Sequence, residues 1–319
     1  MRDSVITRSK QGLRDLARRL PVSRSYERRI AELTELVQGW APQWRPPGHF
    51  YSPVVDLNDP GVAAALAVDR TAAPAGIDLR LDEQWAFLDE LRPHLARAEF
   101  VAGRDEATAR GMRYFWQNPA YGDGDAAVLT AILCHLRPRR VIELGCGYSS
   151  ACMLDVREQH LGRHTTFTFV DPYPELLDSL IRPADAADVS ILEVGSQQVD
   201  LAIFHELGPG DVLFIDSTHV AKTGSDVTRI IHEILPLVAP GVVIHVHDHF
   251  PGFEYPDDWV AEGRNWNEQY LTRAFLQFNE SFEILLWPSL LETIDPRRFH
   301  AGVPARHNGG GALWLHRVR

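Results

Sequence analysis

Two short stretches concentrate the side chains best suited to moving protons. FIDSTH, residues 214–219, supplies Asp216 and His219, and HVHDHF, residues 245–250, supplies His247, Asp248 and His249. Carboxylates and imidazoles are the groups that take or give protons near neutral pH. A third stretch, VIELGCGYSS over 141–150, places Glu143 inside an apolar run, then bends through Gly145, Cys146 and Gly147. Glycines at the end of a buried strand let a backbone approach a ligand closely and take dihedrals that other residues avoid. Asp171 stands 26 positions after Gly145, at the end of the next apolar run, TTFTFVD. An acidic side chain there is placed to accept from the hydroxyl pair of a ribose. The spacing points to a nucleotide-like ligand.

These residues need elements to hold them. Strand-like runs occur at RRVIELG, TTFTFVD, VSILEV, DVLFID and GVVIHVHD, with FEILLWP and GALWLHRV near the end. They are short, β-branched and mostly continuous, which is how strands buried on both faces read. Helical segments around 149–161, 173–182, 200–207 and 224–238 separate the first five. The alternation predicts an α/β fold: a doubly wound, mostly parallel, seven-stranded sheet. The last two strands follow a helix near 267–279 and are joined by a long loop, so one is expected to run antiparallel. In such a sheet ligands bind at the carboxyl ends of the strands. Asp216 and Asp248 end neighbouring strands, about 5 Å apart. Within a regular strand His245, His247 and His249 share one face and Asp248 the other. His247 and Asp248 therefore reach one centre only if the strand ends there, which Phe250-Pro251-Gly252 favours.

Residues 1–120 lack a strand pattern. Helical stretches at about 12–20, 25–38 and 82–96 are linked by Pro/Gly-rich connectors, so this part is expected to form a helical N-terminal cap and substrate region, with 121–319 as the ligand-binding core. Leu13, Leu16, Ala17 and Leu20 have helical spacing, which favours an amphipathic helix over a targeting signal. The composition, 45% hydrophobic and 24% charged, supports an ordinary packed core. A net charge of −11 argues against nucleic acid as partner. No apolar run approaches the roughly 18 residues of a membrane span. Cys134, Cys146 and Cys152 give no disulfide framework, which makes the cytoplasm the expected location.

Two ligands compete for the Gly-rich turn. The dinucleotide fingerprint requires glycine where this chain has Ser150. Acidic Glu143 before the turn suits a ligand bearing a cation, and S-adenosyl-L-methionine carries an ammonium and a sulfonium. The E-x-G-x-G run, with Asp171 ending the second strand, resembles the class I S-adenosylmethionine-dependent methyltransferases. The resemblance runs through residues 214–259, with the D-x-x-H spacing of Asp216 and His219 and a P-G-x-x-x-x-x-H-D signature ending at Asp248. It is similar to a bacterial branch of the family-24 type, and PPGHFYSP near residue 50 and WNEQYLTRAFLQFN near 270 resemble the same branch.

The resemblance implies that Glu143, Gly145, Cys146 and Gly147 line the methionine part of the cofactor and Asp171 holds its ribose. It puts Ser196 and Gln197, in the turn from Gly195 to Gln198, near adenine, and Gly124 and Asp125 near the methionine end. It implies methyl transfer but is unspecific for the acceptor; the acidic net charge and the aromatic-rich cap suggest a small molecule, a hydroxyl of a sugar or natural product being favoured over nitrogen. Asp216, His219, Asp248 and His249 would be the catalytic groups. Related O-methyltransferases hold a divalent ion between such strand ends, which here would fall to Asp216, His247 and Asp248. The alternative is metal-free base catalysis by His219 or His249. Many such enzymes are homodimers. A cofactor-binding protein without transfer and an NAD-dependent oxidoreductase are the competing readings. Tyr255, Trp259, Trp266 and Tyr270 are read mainly as lid packing.

Overall fold

The structure is a computed structural model that describes residues 44–303 and 307–319. The helices expected over 12–20 and 25–38 lie outside the described residues. The chain divides into two compact units, Met1–Asp56 and Leu57–Arg319. In the first, the Gly48 amide donates to the Val54 carbonyl at 3.0 Å, and the Trp44 and Tyr51 rings stack at 5.0 Å.

The second unit opens with helices α1 (Pro60–Leu66), α2 (Leu81–Leu95), α3 (Arg104–Ala109) and α4 (Asp123–Leu136). Residues 57–120, read from sequence as part of a cap, thus share a compact unit with the sheet. The α/β alternation follows: β1 (Arg140–Leu144), α5 (Tyr148–Val156), β2 (Thr166–Val170), α6 (Glu175–Asp178), β3 (Val189–Leu192), β4 (Val212–Ile215), α7 (Asp226–Arg229) and a last turn α8 (Leu235–Leu237). Then come β5 (Val243–Val246), α9 (Asp257–Ala261), α10 (Glu268–Leu276), β6 (Phe282–Leu286), α11 (Pro288–Ile294), α12 (Pro296–His300) and β7 (Leu313–Arg317). The helix expected over 173–182 is only the single turn α6, entered through Pro172 and Pro174. The one expected over 200–207 is a 3-10 stretch, Leu201–Glu206.

The strand order is β3-β2-β1-β4-β5-β7-β6. β1 to β5 are parallel, and β7 runs antiparallel to both β5 and β6. Side chains alternate between two cores. Val141, Phe167, Phe169, Val212, Phe214 and Val243 pack with α2, α4 and α5. Ile142, Leu144, Val170, Leu213, Ile215, Ile244 and Val246 pack on the opposite side with Ile230, Ile231 and Ile234. That is why the strands read as continuous apolar runs.

The register fixes the site. Leu144 pairs with Val170 on one side and Ile215 on the other, and Ile215 pairs with Val246. Gly145, Asp171, Asp216 and His247, each one residue further on, therefore leave the sheet at one level of one edge.

Candidate active site

The turn after β1 is shaped by one glycine and left open by another. Gly145 has φ +81°, and a Cβ on it would lie 1.9 Å from the Asp216 carbonyl oxygen. Only glycine fits there. At Gly147 a Cβ would meet nothing closer than Leu176 Cδ2 at 3.7 Å. The protein's own packing does not require that glycine, so the space beside it remains for a ligand.

Asp171 ties the turn to β2. Its Oδ2 accepts from the Cys146 amide at 2.9 Å and its Oδ1 from the Tyr173 amide at 2.7 Å. Each carboxylate oxygen keeps a second lone pair for a ribose hydroxyl. Glu143 lies beneath the turn, fully buried, with Oε1 accepting from the Ser149 hydroxyl and Oε2 from Ser150. Burial pushes its carboxyl up to about 8, against the serine hydroxyls, and the Asp216 and Asp171 charges add to the rise. Glu143 anchors the turn onto α5; Gly147 and Asp171 offer the surface a ligand would meet. Cys146 contributes its amide, while burial pushes its thiol well up and so away from nucleophilic use.

Asp125 opens α4 and fastens it to the loop before β7. Its Oδ1 accepts from the Gly311 amide at 3.0 Å. Burial raises its carboxyl to about 6, with His247 pulling the other way. Ser196 is buried and Gln197 exposed in the turn after β3, where Arg229 holds the Gln197 carbonyl and, at 2.9 Å, that of Val199.

The proton-transfer cluster gathers around His219. Its Nε2 lies 3.3 Å from Asp216 Oδ1 and 3.5 Å from Asp248 Oδ2, and its Nδ1 lies 2.8 Å from Glu268 Oε2. Burial disfavours the charged ring, but the hydrogen bonds to Asp216 and Glu268 and the charges of Glu268 and Asp248 overcome it, raising His219 to about 10. It is an imidazolium at neutral pH. Burial likewise opposes charge on Asp216, yet His247 and His219 hold its carboxyl below the usual range. His219 and Asp248 both have positive φ, +59° and +56°. Two non-glycine residues in that region face each other across β4 and β5, and such strain gathers at functional sites.

His247 lies 3.6 Å through Nε2 from Asp248 Oδ1, and its Nδ1 is 3.3 Å from His245 Nε2. Burial works against its charge, and Asp248, Asp216 and Asp125 outweigh that, so it is raised. Its Nδ1 shares a hydrogen bond with His245, whose ring burial pushes toward the neutral form. Trp266 lies against His219 with ring centres 4.4 Å apart and planes tilted by 38°, and Trp259 meets Trp266 edge-on at 5.3 Å.

Two sequence expectations need correction. His249 is not a base facing a substrate. It is fully buried, its Nδ1–H donates to the His247 carbonyl at 2.9 Å, and its Nε2 accepts from the Thr272 hydroxyl at 2.9 Å. Nor do Asp216, His247 and Asp248 converge as metal ligands: among the described residues no group of three or more His, Cys, Asp and Glu is arranged to hold a metal ion. The physical reason is that the His219 ring stands between the two carboxylates, its Nε2 3.3 Å from Asp216 and 3.5 Å from Asp248. Glu268, which orients His219, was missed from sequence. Its signal was an acidic residue opening the helix that carries the WNEQY run.

Two hollows, of about 670 Å³ and 220 Å³, open near the amino end of β6 and the amino ends of β1 to β3, at the opposite edge. Among the described residues no helix is long and apolar enough to cross a membrane.

Residues 142–249, which include Glu143, Asp171, Asp216, His219, His247 and Asp248, match a family of methyltransferase domains. The resemblance to a methyltransferase read from the E-x-G-x-G run is borne out by that match over residues 142–249. An uncharacterized protein of Archaeoglobus fulgidus is 27% identical over 167 residues, covering 51% of this chain and 73% of the relative. Among solved structures, the O-methyltransferase TomG of Streptomyces achromogenes, involved in tomaymycin synthesis and determined with S-adenosylmethionine, is 16% identical with a TM-score of 0.44, over 71% of this chain and 96% of that one. The S-adenosylhomocysteine-bound methyltransferase PaMTH1 of Podospora anserina is 14% identical with a TM-score of 0.39, over 83% of this chain and 98% of that one.

Proposed function

We propose that this chain, whose centre matches a family of methyltransferase domains, transfers a methyl group from S-adenosylmethionine to a hydroxyl of a small molecule. One observation carries the reading. The open glycine turn ends the strand next to β4, with Asp171 at the end of the strand beyond it, so both lie at the same edge as a charged His–carboxylate cluster at the ends of β4 and β5. A methyl donor seated on β1 and β2 would present its reactive end toward that cluster.

Asp171 would accept from the ribose hydroxyls, and the Gly145–Gly147 turn would pass close to the methionine portion. Ser196 and Gln197 would border adenine. Bound S-adenosylmethionine supplies an electrophilic methyl group on a sulfonium. The chain's own work is to orient the acceptor and handle its proton. Asp248 takes the proton. His219 holds the oxygen through Nε2–H, with Glu268 fixing the ring. Asp125 ties the loop before β7 to α4, and that loop backs Asp248, since a Cβ on Gly311 would lie 3.1 Å from Asp248 Oδ1. The net charge of −11 fits a small-molecule acceptor better than a nucleic acid.

Calorimetric titration tests the reading. S-adenosylhomocysteine should bind at micromolar concentrations or tighter, and NAD should not. Binding of NAD alone would reject it.

A further inference from the structure

We propose that α9 and its flanks, residues 256–265, form a flap that admits the acceptor, with Trp259 as the gate over the His219–Asp248 pair and Arg70 as the latch. The inference rests on the methyl-transfer reading and adds how that site is opened.

The need for an opening follows from burial. An acceptor oxygen has to reach His219 and Asp248, yet their side chains are only 6% and 16% exposed. An arc of three aromatic rings runs from one to the other. Trp266 lies against His219, with ring centres 4.4 Å apart. Trp259 meets Trp266 edge-on at 5.3 Å and Phe250 edge-on at 5.1 Å. Phe250 closes the arc beside Asp248: a Cβ on Gly311 would lie 3.4 Å from Phe250 Cζ and 3.1 Å from Asp248 Oδ1. Trp259 is the middle ring, and of the three it is the one carried on α9.

That helix is lightly held. None of its residues is buried. The amides of Val260, Glu262, Gly263 and Arg264 donate to Pro256, Asp258, Val260 and Trp259, so these bonds close within the segment. Elements that bury little and bond to themselves open before the rest of a fold. The chain is pinned on either side. Phe253 and Tyr255 are buried, and the Tyr255 hydroxyl oxygen accepts from the Gln269 amide at 3.3 Å. Past the flap, the Asn267 amide donates to the His219 carbonyl at 3.0 Å. Between α9 and that anchor, Gly263 and Asn265 have φ of +79° and +44°. Two left-handed residues at the exit are placed to absorb the change of direction when the helix swings.

Arg70 fastens the entry. Its Nη1 donates to the Glu254 carbonyl at 2.7 Å, and its Nη2 to the Tyr255 carbonyl at 3.2 Å and to Asp257 Oδ1 at 3.3 Å. One guanidinium thus joins the pinned stretch to the first residue of α9. Arg264, from the flap itself, lies over the Trp259 ring at 3.9 Å from its centre. Swinging α9 outward withdraws Trp259 from between Phe250 and Trp266 and leaves His219, Asp248 and their partners in place.

Hydrogen exchange on the full chain, with and without saturating S-adenosylhomocysteine, tests the flap. Residues 256–265 should exchange at least tenfold faster than 247–255 and 266–276. Arg70→Ala lies outside the site and should speed exchange of 256–265 alone, by about tenfold. One common rate for the three stretches overturns the flap, as does an Arg70→Ala effect that is absent or spread over the chain. The gate is tested with a reporter thiol, Asp248→Cys in a Cys146→Ser background, reacting with methyl methanethiosulfonate. Adding Trp259→Ala should raise the reaction rate at least tenfold. Equal rates with and without the indole overturn the gate. If the Asp248→Cys chain does not fold, Ser217→Cys reports from beside His219 with the same expectation. Failure of S-adenosylhomocysteine to bind would instead overturn the methyl-transfer reading, while the rates measured without it still decide the flap.

Discussion

A Cβ on Gly145 would lie 1.9 Å from the backbone carbonyl oxygen of Asp216, so the cofactor turn and the proton-transfer strand are locked together by a contact that only glycine permits. Gly145→Ala should cost at least ~2 kcal/mol, from the left-handed backbone alone and before the overlap is counted. For a chain of this size that lowers Tm by about 3–4 °C. Gly147→Ala meets no such obstacle. It should leave Tm within about a degree of the parent while weakening S-adenosylhomocysteine binding. Equal thermal losses in both variants would contradict the separate roles of the two glycines.

Asp171 joins the same turn to β2 through the amides of Cys146 and Tyr173. Removing its carboxylate deletes an acceptor for two ribose hydroxyls, each charged hydrogen bond contributing about 1.5–3 kcal/mol. Asp171→Ala should therefore weaken cofactor binding at least tenfold by calorimetry. An unchanged Kd in a folded variant would refute the assignment.

Much of this was legible in the sequence because two-face burial writes continuous β-branched runs and a ligand turn writes its glycines. All seven strand runs became strands, and the turn after β1 with Asp171 formed as expected. What could not be read was how side chains at one edge divide their partners. His249 sits beside Asp248 in sequence, yet the bend after β5 sends it inward to Thr272. Glu268 is 49 residues from His219, and nothing local announces their pairing. Glu143, which looked like a ligand for a cation, spends both oxygens on serines only six and seven residues away. That spacing was visible, but an acid next to Gly-x-Gly reads as a binding residue until the hydroxyls are seen beneath it.

Stability should fall as pH rises. Glu143 is raised from 4.5 to about 8, so the folded state favours its proton, and stability is lost as pH climbs from 4.5 through 8. Asp125, raised from 3.8 to about 6, acts in the same direction at lower pH. His219, raised from 6.5 to about 10, contributes stability fully present below 6.5 and lost through 10. Thermal melts from pH 7 to pH 9, above the range where the buried neutral rings of His245 and His249 act in the opposite direction, should show a decline that is shallower in Glu143→Gln. Parallel curves would mean that Glu143 is already charged in the folded protein.

Turnover should survive chelation. The His219 ring lies between Asp216 and Asp248, where a bridging ion would have to displace a buried cation. Exhaustive dialysis against EDTA should leave activity unchanged. Activity lost and then restored by manganese or magnesium would show that the ring swings away in the working enzyme.

The last prediction separates catalysis from cofactor binding and decides the role of His219. Asp248→Asn keeps the side chain's shape and removes the proton acceptor, so turnover should fall about 10²–10⁴-fold with the S-adenosylhomocysteine Kd intact. His219→Ala removes a preorganised donor to the acceptor oxygen and should cost about 10²–10³-fold. Glu268→Gln is the sharper probe, because Glu268 touches the ring and stands behind it rather than in front. Its Oε2 is 2.8 Å from His219 Nδ1, and its Oε1 accepts from Ser217 Oγ at 2.9 Å. If His219 works as a cation, kcat is lost as pH rises through its pKa of about 10, and neutralising Glu268 moves that loss to lower pH. If His219 worked as a base, kcat would instead rise through the same pH, and the rise would begin earlier in Glu268→Gln. A merely structural Glu268 would lower the rate and leave the profile where it was. The direction in which the alkaline limb bends therefore settles whether the ring stabilises the oxyanion or removes the proton.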